Sequence, residues 1–84
     1  MYSYEFTDQA LKDVQKLPLT VQKRIISKLD FFTKSKNPMR FASRLINTDA
    51  GQYRFRVGDY RIIFDLENAV IVVLTIGHRK DIYN

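Results

Sequence analysis

The spacing of apolar positions changes along the chain, and each change marks an element. Tyr2, Tyr4 and Phe6 alternate with Ser3 and Glu5, which predicts a strand over residues 2–6. Thr7 or Asp8 can cap a helix, and Ala10, Leu11, Val14 and Leu17 follow at helical spacing. Pro18 ends that helix and suits the first turn of another. The second helix has Val21, Ile25, Ile26, Leu29 and Phe32 as its apolar stripe, and Ser35-Lys36-Asn37-Pro38 stops it. The pair reads as an αα-hairpin with Gln22, Lys23, Lys28 and Asp30 mostly outside. Tyr2, Tyr4, Phe6, Phe31 and Phe32 are expected in the core.

Period-2 alternation returns in Tyr53-Arg54-Phe55-Arg56-Val57 and continues past Gly58-Asp59 into Tyr60-Arg61-Ile62-Ile63-Phe64. A two-residue loop with glycine first suits a type II′ hairpin. That loop sets Val57 opposite Tyr60, Arg56 opposite Arg61, Phe55 opposite Ile62 and Arg54 opposite Ile63. Opposed residues share a face, so Tyr53, Phe55, Val57, Tyr60, Ile62 and Phe64 turn inward, and Arg54, Arg56 and Arg61 turn the other way. Residues 39–52 are less patterned. Arg44-Leu45-Ile46 reads as a short strand or an ordered loop, and Asn47-Thr48-Asp49-Ala50-Gly51 as a turn. Glu67-Asn68 signals another turn, Val70-Ile71-Val72-Val73-Leu74 an interior strand, and Gly77 its end. The order is β-α-α-β-β-β. The predicted fold is a single α+β domain over residues 1–84, an antiparallel sheet with the αα-hairpin on the face of Phe55, Ile62 and Phe64.

Composition narrows the chemistry. With 45% hydrophobic and 27% charged residues the chain is globular rather than disordered. It has no cysteine and one histidine, His78, which excludes disulfides and thiolate metal sites and leaves little for a zinc site. The start is no signal peptide and no apolar run approaches the roughly 18 residues of a membrane span, so a cytoplasmic protein is expected. The net charge is +5 and the pI about 9.7, which favours a polyanionic partner. Residues 1–36 hold six lysines and only Arg24, whereas residues 37–84 hold Arg40, Arg44, Arg54, Arg56, Arg61 and Arg79 with only Lys80. The arginine fork suits bidentate recognition of phosphate or carboxylate, so the second half reads as the site and the first as scaffold. In an antiparallel meander the exit Gly77-His78-Arg79 lies near Arg56 and Arg61, with His78, Asp81 and Tyr83 close by.

Residues 53–64, together with Gly77-His78-Arg79-Lys80-Asp81-Ile82-Tyr83, resemble the signature of the RelE toxins within the RelE/ParE superfamily, a fold like that of microbial ribonucleases. The Leu17-Pro18 break and Arg44-Leu45 fit it too. The resemblance implies a toxin of a type II toxin–antitoxin system: a ribosome-dependent endoribonuclease that cuts mRNA in the decoding site and is restrained by an acidic, RelB-like antitoxin with an amphipathic helix. It carries the paired basic positions before the turn onto Arg54 and Arg56, the phosphate-stabilising arginine onto Arg61, the general-acid arginine onto Arg79 and the nucleotide-stacking aromatic onto Tyr83. The best-known members have lysines where this chain has Arg54 and Arg56, and a guanidinium rarely gives up its proton.

RNA supplies its own nucleophile, the 2′-OH, so this route needs no metal or other cofactor. It requires orientation, charge to offset the phosphorane, and two proton transfers. Arg56, Arg61 and Arg79 supply charge. His78 has a suitable pKa for proton transfer, or is a strand-end residue bonded to backbone. Tyr83 stacks on a base or packs beside Ile82. Arg54 contacts phosphate, or is solvated or bound by antitoxin. Arg40, Arg44 and Lys80 add attraction toward RNA. Two alternatives stand beside the nuclease: a ParE-like toxin that inhibits DNA gyrase by binding, and a catalytically degenerate RNA-binding relative.

Overall fold

A computed structural model of the protein describes residues 1–82. Strand β1 (Ser3–Phe6) leads into helix α1 (Asp8–Gln15), then α2 (Leu19–Lys34), a 3₁₀ turn (Pro38–Phe41), and strands β2 (Ala42–Arg44), β3 (Tyr53–Val57), β4 (Tyr60–Glu67) and β5 (Val70–His78). Among the described residues no helix is long and apolar enough to cross a membrane.

Local chemistry sets the helix ends. The Thr7 hydroxyl accepts the Ala10 N–H at 3.1 Å, the N-cap anticipated from the sequence. Pro18 stands just before α2 rather than within it, and its carbonyl accepts from Val21 and Gln22. The Gln22 amide reaches back to the Leu17 carbonyl at 2.8 Å, closing the end of the first helical segment.

The sheet order is β1-β5-β4-β3-β2. The β3-β4-β5 meander is antiparallel as expected, and β2 joins β3 antiparallel at the far edge. Strand β5 runs on through Gly77 to His78 rather than ending at Gly77, because Gly77 and His78 still pair with Arg61 and Tyr60. Two further features were not legible. The short strand is Ala42–Arg44, set directly after the 3₁₀ turn, rather than Arg44–Ile46. Strand β1 pairs parallel to β5, so the sheet is mixed, because the helix pair between β1 and the meander allows a crossover instead of a hairpin.

Both helices pack on one face of the sheet. Phe55, Ile62, Phe64, Ile71 and Val73 are fully buried there against Ala10, Ile25 and Leu29. Each such large side chain contributes about 1.5–3 kcal/mol by leaving water. Phe32 stacks on Phe55 at 4.3 Å, and Phe55 on Phe64 at 4.4 Å. Phe31 departs from expectation: Phe32 takes the core position, and the next residue on a helix points about 100° away, leaving Phe31 56% exposed.

The second face is covered as well. Ile63 is fully buried on it, next to Gly51 and Leu74. A Cβ at Gly51 would stand 2.6 Å from Ile63 Cγ2, so any larger residue there would force the loop preceding β3 or the Ile63 side chain to shift. Strand β4 is therefore buried on both sides over residues 61–64.

Candidate active site

The β3–β4 hairpin has the register the sequence predicts, from Tyr53 opposite Phe64 to Val57 opposite Tyr60. Gly58 has φ of +59°, and Asp59 keeps a negative φ, as the Gly-first turn requires. The β4–β5 register then sets Gly77 beside Arg61 and His78 beside Tyr60. Arg56, Arg61 and Gly77 thus form one row across three strands. The Arg79 N–H donates to the Asp59 carbonyl at 2.7 Å, extending β5 to the tip of the hairpin. The backbone positions of Arg56, Arg61 and Arg79 thus come together at one end of the sheet.

Their environments differ. Arg56 is exposed. Arg61 is only 7% exposed, and its Nη1 donates to the carbonyls of Gly58 at 2.9 Å and Tyr60 at 3.0 Å. The guanidinium thus has a structural partner in the turn's own carbonyl dipoles, in addition to any ligand. That arrangement answers the like-charge opposition of Arg56 and Arg61 within the chain. Arg79 Nε lies 3.7 Å from an Asp59 carboxylate oxygen, both side chains more than half exposed. Such an open pair contributes about 0–1 kcal/mol and is readily exchanged for another anion.

His78 is not with the arginines. Strand β5 carries a bulge where Phe64 pairs with Val73 but Ile63 with Thr75, so Leu74 is the extra residue. Simple alternation from Ile71 and Val73 would set Gly77 on the helix side and His78 beside the arginines. The bulge inverts this. Ile76 and His78 face the helices, and Gly77 faces the arginine side. The His78 ring meets Tyr60 edge-on at 5.5 Å, and its Nδ1 accepts the Lys80 N–H at 3.1 Å. The Ile82 side chain fills the space left by Gly77, 3.0 Å from where a Cβ would stand. Lys80 and Asp81 are exposed on the turn between.

The remaining basic residues divide. Arg54 is half-buried and borders a groove of about 680 Å³ shared with Arg44, Ile46, Thr48 and Ile82. This groove lies alongside the arginine row on the same side as Arg54. Arg40 is elsewhere, in the 3₁₀ turn, with its guanidinium 5.5 Å from the Phe41 ring centroid. Tyr83 lies outside the described residues.

One residue escaped the sequence reading. Arg24, assigned to the scaffold, has its Nη1 2.9 Å from the position of a Cβ at Gly58, so α2 delivers a further guanidinium to the hairpin tip. Its being the single arginine among the lysines of the first half was the available signal.

The family model for the "ParE toxin of type II toxin-antitoxin system, parDE" matches residues 4–83. The chain belongs to the RelE/ParE superfamily of type II toxins. Within this superfamily it is 33% identical to toxin RelG of Mycobacterium tuberculosis, over 98% of this chain and 95% of that one. It is 30% identical to toxin RelE3 of Methanocaldococcus jannaschii, over 94% and 92% respectively. Among solved structures, the toxin–antitoxin complex RelBE2 from Mycobacterium tuberculosis superposes with a TM-score of 0.79 at 29% identity, covering 93% of this chain and 98% of that one. The toxin fold is thus shared across nearly the whole length, and the α+β architecture with its helix pair on one sheet face is that of RelE toxins.

Proposed function

We propose that this toxin is an mRNA interferase, cutting message in the ribosomal decoding site by attack of a 2′-OH on the adjacent phosphate. The observation that carries the reading is the meeting of Arg56, Arg61 and Arg79 at the hairpin end, set by the two strand registers and by the Arg79–Asp59 backbone bond. Arg61, oriented by the turn carbonyls, presents a prepositioned charge to the phosphorane. Arg56 and Arg79 approach from either side, and Arg79 leaves Asp59 for the phosphate. As the P–O2′ bond forms and the P–O5′ bond breaks, the 2′-OH proton passes to water and the 5′-oxygen takes one from water, Arg79 in the general-acid position hydrogen-bonds the leaving oxygen, and Tyr83 stacks on the neighbouring base. Arg54, with Arg44 at its groove, holds the RNA backbone, and Lys80 and Arg40 add general attraction.

His78, facing away, fixes the turn that carries Arg79 and Lys80. No group among these is a strong base at neutral pH, so catalysis is mainly orientation and charge, with the ribosome ordering the RNA. The partner that restrains it is an acidic RelB-like antitoxin, as in the RelB–RelE assemblies of its structural relatives. An amphipathic helix of that antitoxin covers the cationic corner.

Purified toxin added to programmed ribosomes tests this, with the message ends mapped by primer extension. Cleavage on ribosomes with little on naked RNA is the expected result. The ParE description of the matched family model favours a second reading, gyrase inhibition by binding. Blocked supercoiling with uncut ribosome-bound message would select it.

A further inference from the structure

We propose that helix α2 carries a second RNA surface, which takes the single-stranded segment flanking the cut bond after it passes over the hairpin tip. The inference rests on the nuclease reading for the other end of that strand.

Arg24, Lys28 and Phe31 recur at i, i+4 and i+7, so they stand on one face of α2, and all three are exposed. Arg24 begins the row at the tip of the hairpin, within reach of Gly58. Phe31 ends it, 5.6 Å from the Phe41 ring. The Lys28 ammonium lies 5.7 Å from the Phe31 centroid, as Arg40 lies over Phe41. Phe41 is itself stacked at 5.1 Å on Phe32, which is anchored to the core by Phe55, so the aromatic pair rests on a rigid base.

Exposed rings interleaved with cations are the composition that accepts single-stranded nucleic acid: bases stack on the rings and phosphates meet the charges. The rise from Arg24 to Phe31 is about 10 Å, room for about three stacked nucleotides. The single carboxylate on α2, Asp30, accepts from the Tyr4 hydroxyl on the β1 side and does not neutralise the row. An amphipathic protein helix would want an unbroken apolar stripe, and here Arg24, Ser27 and Lys28 interrupt it. Continuity with Arg79 and Arg56 through Arg24 makes the occupant the same RNA strand.

Fluorescence anisotropy on the full-length toxin decides the matter, with a fluorescein-labelled 2′-O-methyl RNA dodecamer that cannot be cut and a tetramer of the same kind. Phe31→Ala is expected to weaken the dodecamer about tenfold, within the range of one lost base stack. Phe31→Tyr retains binding, and Lys28→Ala reduces the salt slope by about 0.7. The tetramer, too short to span α2 and the arginine corner together, binds the parent toxin more weakly than the dodecamer. Unchanged dodecamer affinity in both Phe31→Ala and Lys28→Ala overturns the proposal. So does a Phe31→Ala toxin that keeps RNA affinity but loses an acidic antitoxin, which would assign the face to a protein. A toxin that binds the dodecamer through Phe31 yet leaves ribosome-bound message intact keeps this surface and removes the nuclease reading instead.

Discussion

The Asp13 carboxylate on α1 accepts the Ile76 N–H of β5 at 3.1 Å. Strand β1 covers the edge of β5 only as far as Val73, so beyond it the β5 backbone needs other partners. Asp13 supplies one, and the Thr7 hydroxyl supplies another by donating to the Leu74 carbonyl at 3.1 Å. The two side chains hold the bulge that inverts the phase of β5. They thereby decide that Gly77, and not His78, stands beside Arg61. Asp13→Ala is expected to destabilise the toxin by about 1.5–3 kcal/mol in urea unfolding, the range for a lost bond to a charged group, with cleavage reduced as the exit strand loosens. Asp13→Asn retains an acceptor and recovers part of the loss.

Arg61 and Arg79 should separate function from stability. Arg79→Ala removes an exposed pair and is expected to leave unfolding within about 0.5 kcal/mol of the parent while abolishing cleavage. Arg61→Ala removes a buried side chain and its two charge-assisted bonds to the Gly58 and Tyr60 carbonyls, so it should lose cleavage and about 1–3 kcal/mol of stability together. Parallel denaturation and primer-extension measurements on both variants check the contrast. A stable Arg61→Ala would show that the turn does not depend on that guanidinium.

Asp59 competes with phosphate for Arg79. Asp59→Asn is expected to raise affinity for the RNA dodecamer by up to about fivefold, the ceiling for an exposed ion pair. An unchanged or weakened affinity would mean that Asp59 does not restrain Arg79.

Gly51 is favoured by space. Gly51→Ala would press on Ile63 Cγ2 and on Leu74 Cδ1, which lies 3.0 Å from the added carbon. A loss of about 1–3 kcal/mol is expected from overpacking. The double variant Gly51→Ala/Ile63→Leu, which moves the branch away from Cβ, should regain part of it in the same thermal or urea titration.

Tyr4 gives the fold an alkaline limit. Burial first, then its hydrogen bond to Asp30 and the negative charge there, raises the Tyr4 hydroxyl above its ordinary value of 10.0. The folded state thus favours the neutral phenol, and the unfolded state ionises at lower pH. The resulting stability is fully present below the ordinary value and is lost as pH climbs through the raised one. Urea midpoints measured between about pH 8 and 11 should fall at the alkaline end, and Tyr4→Phe should lessen that fall.

Much of the site was legible because it depends on neighbours in sequence. Alternation in residues 53–64 and a Gly-first turn dictate which side chains share a face, and Arg56 stands opposite Arg61 for that reason alone. The α2 stripe read equally well, since Ile25, Leu29 and Phe32 recur at the spacing of one buried face, whereas on α1 Ala10 and Val14 pack inward and Leu11, beside Ala10, is turned out to 45% exposure. Phe31 was misplaced because two adjacent aromatics cannot both lie on one stripe, and periodicity does not say which packs inward.

The amino-acid order by itself determined the helix pair, the hairpin register and the excess of arginine over lysine in the second half, all of them matters of local spacing and composition. Only the tertiary structure decided the parallel seat of β1, the bulge that turns His78 toward the helices, the shelter of Arg61 under its own turn and the arrival of Arg24 at the hairpin tip. Three of these depend on a group supplied by another element, as Asp13 is for Ile76, and the fourth on a side chain folding back onto the carbonyls of its own turn. A one-dimensional pattern records how often a side chain repeats, but not which distant backbone group it will meet.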